Sequence, residues 1–152
     1  EERIGYARFM RLSLIKLCQF ADRLANGNPT LVGIFSRMAV GQFPTHLDPC
    51  FLAVEIETEP HETGKEVPVT IRLIEEDGRI LTNTQLTLVT NERHEPQLSR
   101  TFIGLPIPWD HNFEFVGPGT FRFDIVVWEG TPDEEILGGE TLMVHAMEGR
   151  PG

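Results

Sequence analysis

"VTIRLIEEDGRILTNTQLTLVT", residues 69–90, decides the fold class. Val69, Ile71 and Leu73 alternate with Thr70 and Arg72, the two-residue period that lines one face of a strand with apolar side chains. Asp77-Gly78 then supplies a tight turn, and Leu86 and Leu88 flank Thr87 beyond it, so the stretch reads as a β-hairpin. Upstream, "FLAVEIET" (51–58) sets Leu52, Val54 and Ile56 on one side and Glu55 and Glu57 on the other. Downstream, "RTFIGLPI", "NFEFV", "GPGTFRFDIVVWEG" and "ETLMVHAM" continue in the same grammar. In the third of these Phe121, Phe123, Ile125 and Val127 share a face opposite Arg122 and Asp124, and a regular strand would turn Trp128 away from it. "EGTPDEEILGG" reads as a polar connection between strands, punctuated by Gly138-Gly139.

The first third is open to two readings. Met10, Leu14, Leu17, Cys18, Ala21 and Leu24 fit an amphipathic helix, whereas a strand entering a reversal at "ANGNPT" fits equally. The β-branched and aromatic content of "TLVGIFSRMAV" favours the strand. With short strands about 8 to 15 residues apart, Gly and Pro turns, and no strand-helix alternation, the expected fold is all-β. Specifically, it is a two-layer antiparallel β-sandwich of seven or eight strands, immunoglobulin-like or related. Residues 10–148 form the single domain, with 1–9 a short N-terminal extension and 149–152 a tail.

The 152 residues suffice for one core without staples, and their net charge is −10. The first 24 residues are nevertheless basic, with Arg3, Arg8, Arg11, Lys16 and Arg23 against Glu1, Glu2 and Asp22. So acidic a body repels phosphate, which argues against nucleic acid and anionic membranes as partners. "RFMRLSLIKLCQFA" has the basic lead of a secretory signal, but Lys16 interrupts the apolar run and no small-x-small cleavage site precedes "DRLANG". Cys18 and Cys50 lack Cys-x-x-Cys spacing and sit among apolar residues, so buried free thiols and the cytoplasm are expected.

Signals for chemistry are sparse. There is no Gly-x-Ser-x-Gly nucleophile elbow and no phosphate-cradling glycine loop, and no cofactor is expected. His46 with Asp48 in "THLD", and Asp110 with His111 in "WDHN", pair imidazole with carboxylate as zinc or iron sites do. The same residues serve equally as turn formers, the Asp side chains capping local backbone. Trp109 and Trp128 could stack on a sugar or a partner protein.

"LCQFADRLANGNPTLVGIFSRMAVGQFP" resembles an uncharacterised bacterial family of unknown function. Its members open with a Leu-Cys-x-x-Ala strand, a polar Gly turn, a Gly-(Ile/Val)-Phe strand and a Phe-Pro. The matching residues are Leu17, Cys18, Ala21, Gly27, Gly33, Ile34, Phe35, Phe43 and Pro44, while Gln19 departs from the usual acidic residue after the Cys. The resemblance implies a small, mostly β, cytoplasmic bacterial protein and transfers no catalytic residue.

The leading functional expectation is a non-enzymatic interaction or accessory domain that binds another protein through loops or an edge strand. Two alternatives stand beside it. One is a metal-dependent hydrolase-like enzyme using His46, Asp48, Asp110 and His111; the other is a carbohydrate-binding module using Trp109 and Trp128. A homo-oligomer built by edge-strand pairing and a monomer both fit the pattern.

Overall fold

The computed structural model describes residues 10–25, 28–58, 66–89, 99–110 and 113–147. They form an all-β sandwich. Strands β1 (Met10–Arg23), β2 (Pro29–Phe35), β4 (Cys50–Thr58) and β7 (Ser99–Ile107) make one sheet in the order β2-β1-β4-β7. Strands β3 (Arg37–Val40), β5 (Glu66–Glu75), β6 (Ile80–Val89), β8 (Gly119–Val127) and β9 (Glu135–Ala146) make the other, in the order β3-β9-β8-β5-β6.

The two-residue period explains the layers. Leu52, Val54 and Ile56 on β4 meet Val69, Ile71 and Leu73 on β5 and Phe123 and Ile125 on β8 in one buried cluster. The hairpin expected around Asp77-Gly78 is present, with Val69 opposite Leu86 and Val67 opposite Leu88. Gly78 turns at φ +91°, a left-handed angle that a glycine adopts without a Cβ penalty.

The structure departs from the sequence expectation in several particulars. There are nine strands among the described residues, and one pair is parallel, β3 with β9. The segment "TLVGIFSRMAV" holds two strands: β2 lies in the first sheet, β3 in the second, and Ser36 alone separates them. Of "NFEFV", the described residues 113–116 contribute an isolated bridge between Phe115 and Thr45, closed by two backbone hydrogen bonds of 2.7 and 2.9 Å. The Gly138-Gly139 pair lies inside β9, which runs opposite β8 with a bulge between Ile125 and Val126. The stretch that fitted either helix or strand is strand over Met10–Arg23. The expected extension 1–9 and tail 149–152 lie outside the described residues.

Those two glycines have a packing reason. A Cβ on Gly139 would lie 2.7 Å from Asp124 Oδ1 and 3.0 Å from the Phe123 carbonyl oxygen, while one on Gly138 would meet Leu12 Cδ2 at 2.7 Å. Backbone cannot retreat, but a leucine tip can. Gly139→Ala is therefore expected to cost about 1–3 kcal/mol in urea unfolding. Gly138→Ala should cost less, and equal losses in the two variants would refute this reading.

Candidate functional site

The loops carrying the expected metal ligands do come together, at one end of the sandwich. His46, between β3 and β4, uses Nδ1 to bond the Phe113 carbonyl oxygen at 3.0 Å, and its Nε2 lies 3.7 Å from Glu114 Oε2. Asp110 follows β7, where its Oδ2 accepts from Thr82 Oγ1 at 3.5 Å. Asp48 is exposed beside the buried Cys50. His111 lies outside the described residues. Among the described residues, no group of three or more His, Cys, Asp or Glu side chains converges on a point that could hold a metal ion.

Both indoles are partly buried and packed against the main core. Trp109 stands edge-on to Phe123 at 6.1 Å and donates through Nε1 to Thr82 Oγ1 at 3.0 Å. The outward turn expected of Trp128 fails because its backbone takes φ +57°, which breaks the strand phase by one residue. The ring then closes over the core, and Glu129 takes up the outward position. There Glu129 accepts from Arg72 Nε at 2.9 Å and from Thr70 Oγ1 at 3.1 Å. A bulky residue at such an angle carries strain of about 1–3 kcal/mol, held in place by Trp128 N–H donating to the Pro68 carbonyl and Thr131 Oγ1 donating to the Trp128 carbonyl.

The two cysteines sit on opposite faces of the first sheet and are free. Cys50 belongs to the main core and Cys18 to a second, smaller cluster. Burial, with smaller contributions from Cys18 and Asp48, pushes the Cys50 thiol up to about 12. A thiol held that high is inert as a nucleophile.

Buried carboxylates serve structure. Glu57, with a side chain 4% exposed, lies on the outer face of the first sheet between Arg11 of β1 and Arg100 of β7, whose Nε atoms donate at 2.8 and 3.1 Å. Burial alone would raise its pKa, yet the two guanidiniums hold it below the ordinary carboxylate value. Hydrogen bonding to Arg72 lowers Glu129 likewise. Asp124, also buried, is held by both Nε and Nη2 of Arg122 at 2.6 and 3.0 Å.

The feature that the sequence reading missed is on the β1–β2 hairpin. The distal half of β1 leans over the outside of β4 and β7: Arg23 Nη2 donates to the Phe102 carbonyl at 3.4 Å, and its guanidinium stands 6.0 Å above the Phe102 ring. Cys18, Ala21 and Ala53, with Leu31, Phe51 and Phe102, fill the space between. Beside that cluster Phe20 (48% exposed), whose ring stands edge-on to Phe51 at 5.5 Å, and Leu24 (53%), Val32 (54%) and Ile34 (59%) remain largely in solvent. The register pairs Phe20 with Val32 and Cys18 with Ile34, so Phe20, Val32 and Ile34 make one continuous apolar surface. The available signal was that "PTLVGIF" carries no charge, although β2 is an edge strand.

A lowered carboxyl stabilises the fold when ionised. The contribution of Glu57 is thus fully present above about pH 4.5, its ordinary value, and fades as pH falls through the lowered one. Thermal melts from neutral to acid pH should show Glu57→Gln less stable than the parent by about 1–2 kcal/mol at neutrality. The difference should shrink in acid; a gap that does not change with pH would contradict this assignment.

Residues 13–138 match the model of a family of unknown function, DUF6941. No curated protein matches the chain. Among solved structures, the Pseudomonas fluorescens alkylpurine DNA glycosylase AlkC bound to DNA containing an abasic site analog is similar at 11% identity and a TM-score of 0.46. The match covers 91% of this chain and 31% of that one, so the chain spans about a third of that structure's length.

Proposed function

The chain belongs to DUF6941, a family of unknown function, and we propose that it is a non-enzymatic interaction domain that docks a partner protein on the apolar outer face of its β1–β2 hairpin. The observation that carries this reading is the gathering of Phe20, Leu24, Val32 and Ile34 in solvent on one hairpin, at the edge of a sheet. Contiguous apolar surface of this kind is characteristic of protein contact sites. Its surroundings also bear on the partner. Arg11, Arg23 and Arg100 project from the same outer face and are exposed, in a chain whose net charge is −10. The fitting partner therefore offers an apolar knob beside acidic side chains.

The enzymatic and carbohydrate readings have less behind them. The described His and Asp side chains do not converge on one point, and both indoles are engaged with the core. Free, buried thiols on separate faces favour a reducing compartment, and we place the domain in the cytoplasm of a bacterium. Among the described residues no helix is long and apolar enough to cross a membrane.

Phe20→Asp and Ile34→Asp test the docking face, since both positions are exposed and neither belongs to the buried clusters. Partners recovered from the native host by the parent chain should bind each variant at least about tenfold more weakly, roughly 1.4 kcal/mol, with circular dichroism unchanged. Undiminished binding by both folded variants would rule the hairpin out.

A further inference from the structure

The two sheets end in four edge strands, and three of them carry features that discourage pairing with another chain. β2 begins at Pro29 and is kinked at Gly33, where φ is +69°. β3 is 4 residues long and opens on Arg37. β7 contains Arg100, Gly104 and Pro106. Short length, proline, charge and local kinks are the usual means by which sheet edges are blunted. β6 has none of these apart from a bulge at Leu81, beside the turn to β5, where the register shifts by one residue. It runs for 10 residues, "ILTNTQLTLV", with no charge, proline or glycine, and among the described residues it pairs with β5 alone.

From this edge we infer that the protein forms a two-fold homodimer in which β6 pairs antiparallel with β6 of a second copy, joining two five-stranded sheets into one. The strand is complementary to itself. Thr82, Thr84, Leu86 and Leu88 stand opposite Leu73, Ile71, Val69 and Val67 of β5 and share their core side. A partner strand must match core side to core side, because directly opposed residues in an antiparallel pair lie on the same face. Two central registers satisfy that. Centring on Thr84 would set the exposed Val89 against Arg79. Centring on Gln85 sets Val89 against Leu81 and Asn83 against Thr87, with Gln85 beside its own copy and no charged residue anywhere from Leu81 to Val89. The second register is the one assigned.

Charge shapes the behaviour of such a pair. Two chains of net charge −10 repel at long range, while the seam itself is neutral, and Glu129 beside Gln85 is already paired with Arg72. Salt screens the repulsion and leaves main-chain hydrogen bonds largely untouched, so association should strengthen with ionic strength. An interface built on opposite charges would weaken instead.

Sedimentation equilibrium of the full chain over a range of concentrations and salt tests this. The expected result is a reversible shift from a 17.2 kDa species towards about twice that mass, increasing with salt. Gln85→Lys places like charges on the two-fold axis and should return the protein to monomer with its circular dichroism spectrum unchanged. Gln85→Cys should cross-link under mild oxidation, whereas Thr84→Cys, opposite Leu86, should not. A monomer under all conditions would overturn the inference. So would a dimer that withstands Gln85→Lys but is lost in Phe20→Asp, which would place the contact on the hairpin.

Discussion

Everything in this molecule is arranged around one face of β4 pressed against one face of β5 and β8. Leu52 and Ile56 from the first sheet, and Ile71, Phe123 and Ile125 from the second, are fully excluded from water. Removing a side chain of this size from solvent is worth about 1.5–3 kcal/mol, so a handful of them outweighs any polar contact in the structure. Their spacing of two residues leaves the intervening side chains to the outer faces. The positions of Glu57, Arg72 and Asp124 follow from that alternation rather than from any local preference.

The outer faces solve the resulting problem of charge in two ways. Where the face is crowded, carboxylates are sunk among guanidiniums: Glu57 between Arg11 and Arg100 of the two flanking strands, Asp124 under Arg122 of its own strand. The Glu57 contacts tie β4 to β1 and β7, and the Arg11, Arg100 and Arg122 side chains stay largely exposed. Where β1 curls over β4 and β7, small side chains replace charge. A Cβ on Gly104 would stand 3.2 Å from the Ala21 carbonyl oxygen, so the close crossing of that hairpin depends on glycine at this position.

Much of this architecture was legible in the sequence, and the limits of legibility have physical causes. β4, β5, β6 and β8 announce themselves because a half-buried strand in a sandwich writes its burial as alternation. The parallel pairing of β3 with β9 does not, since it depends on where a chain that leaves one sheet re-enters the other. Nothing in "WEG" reveals that Trp128 adopts a left-handed angle; the surrounding hydrogen bonds impose it, and the phase of Glu129 is lost with it. "NFEFV" alternates like a strand, yet among the described residues Phe115 finds only Thr45 as a bridge partner. The hairpin surface was hidden for a simpler reason: Phe20, Val32 and Ile34 look like core residues, yet among the described residues no further layer covers them. His46, Asp48 and Asp110 were correctly placed in loops, but spacing along the chain says little about convergence in space.

The single residue between β2 and β3 has a mechanical meaning. Ser36 carries the chain from one sheet to the other in one step, and its carbonyl accepts from the Met143 amide at 2.9 Å. So short a stitch leaves no slack for the layers to shear along the strand direction. The sheets are thereby stitched edge to edge at β2 and β3, while β6 and β7 lie at the opposite margin.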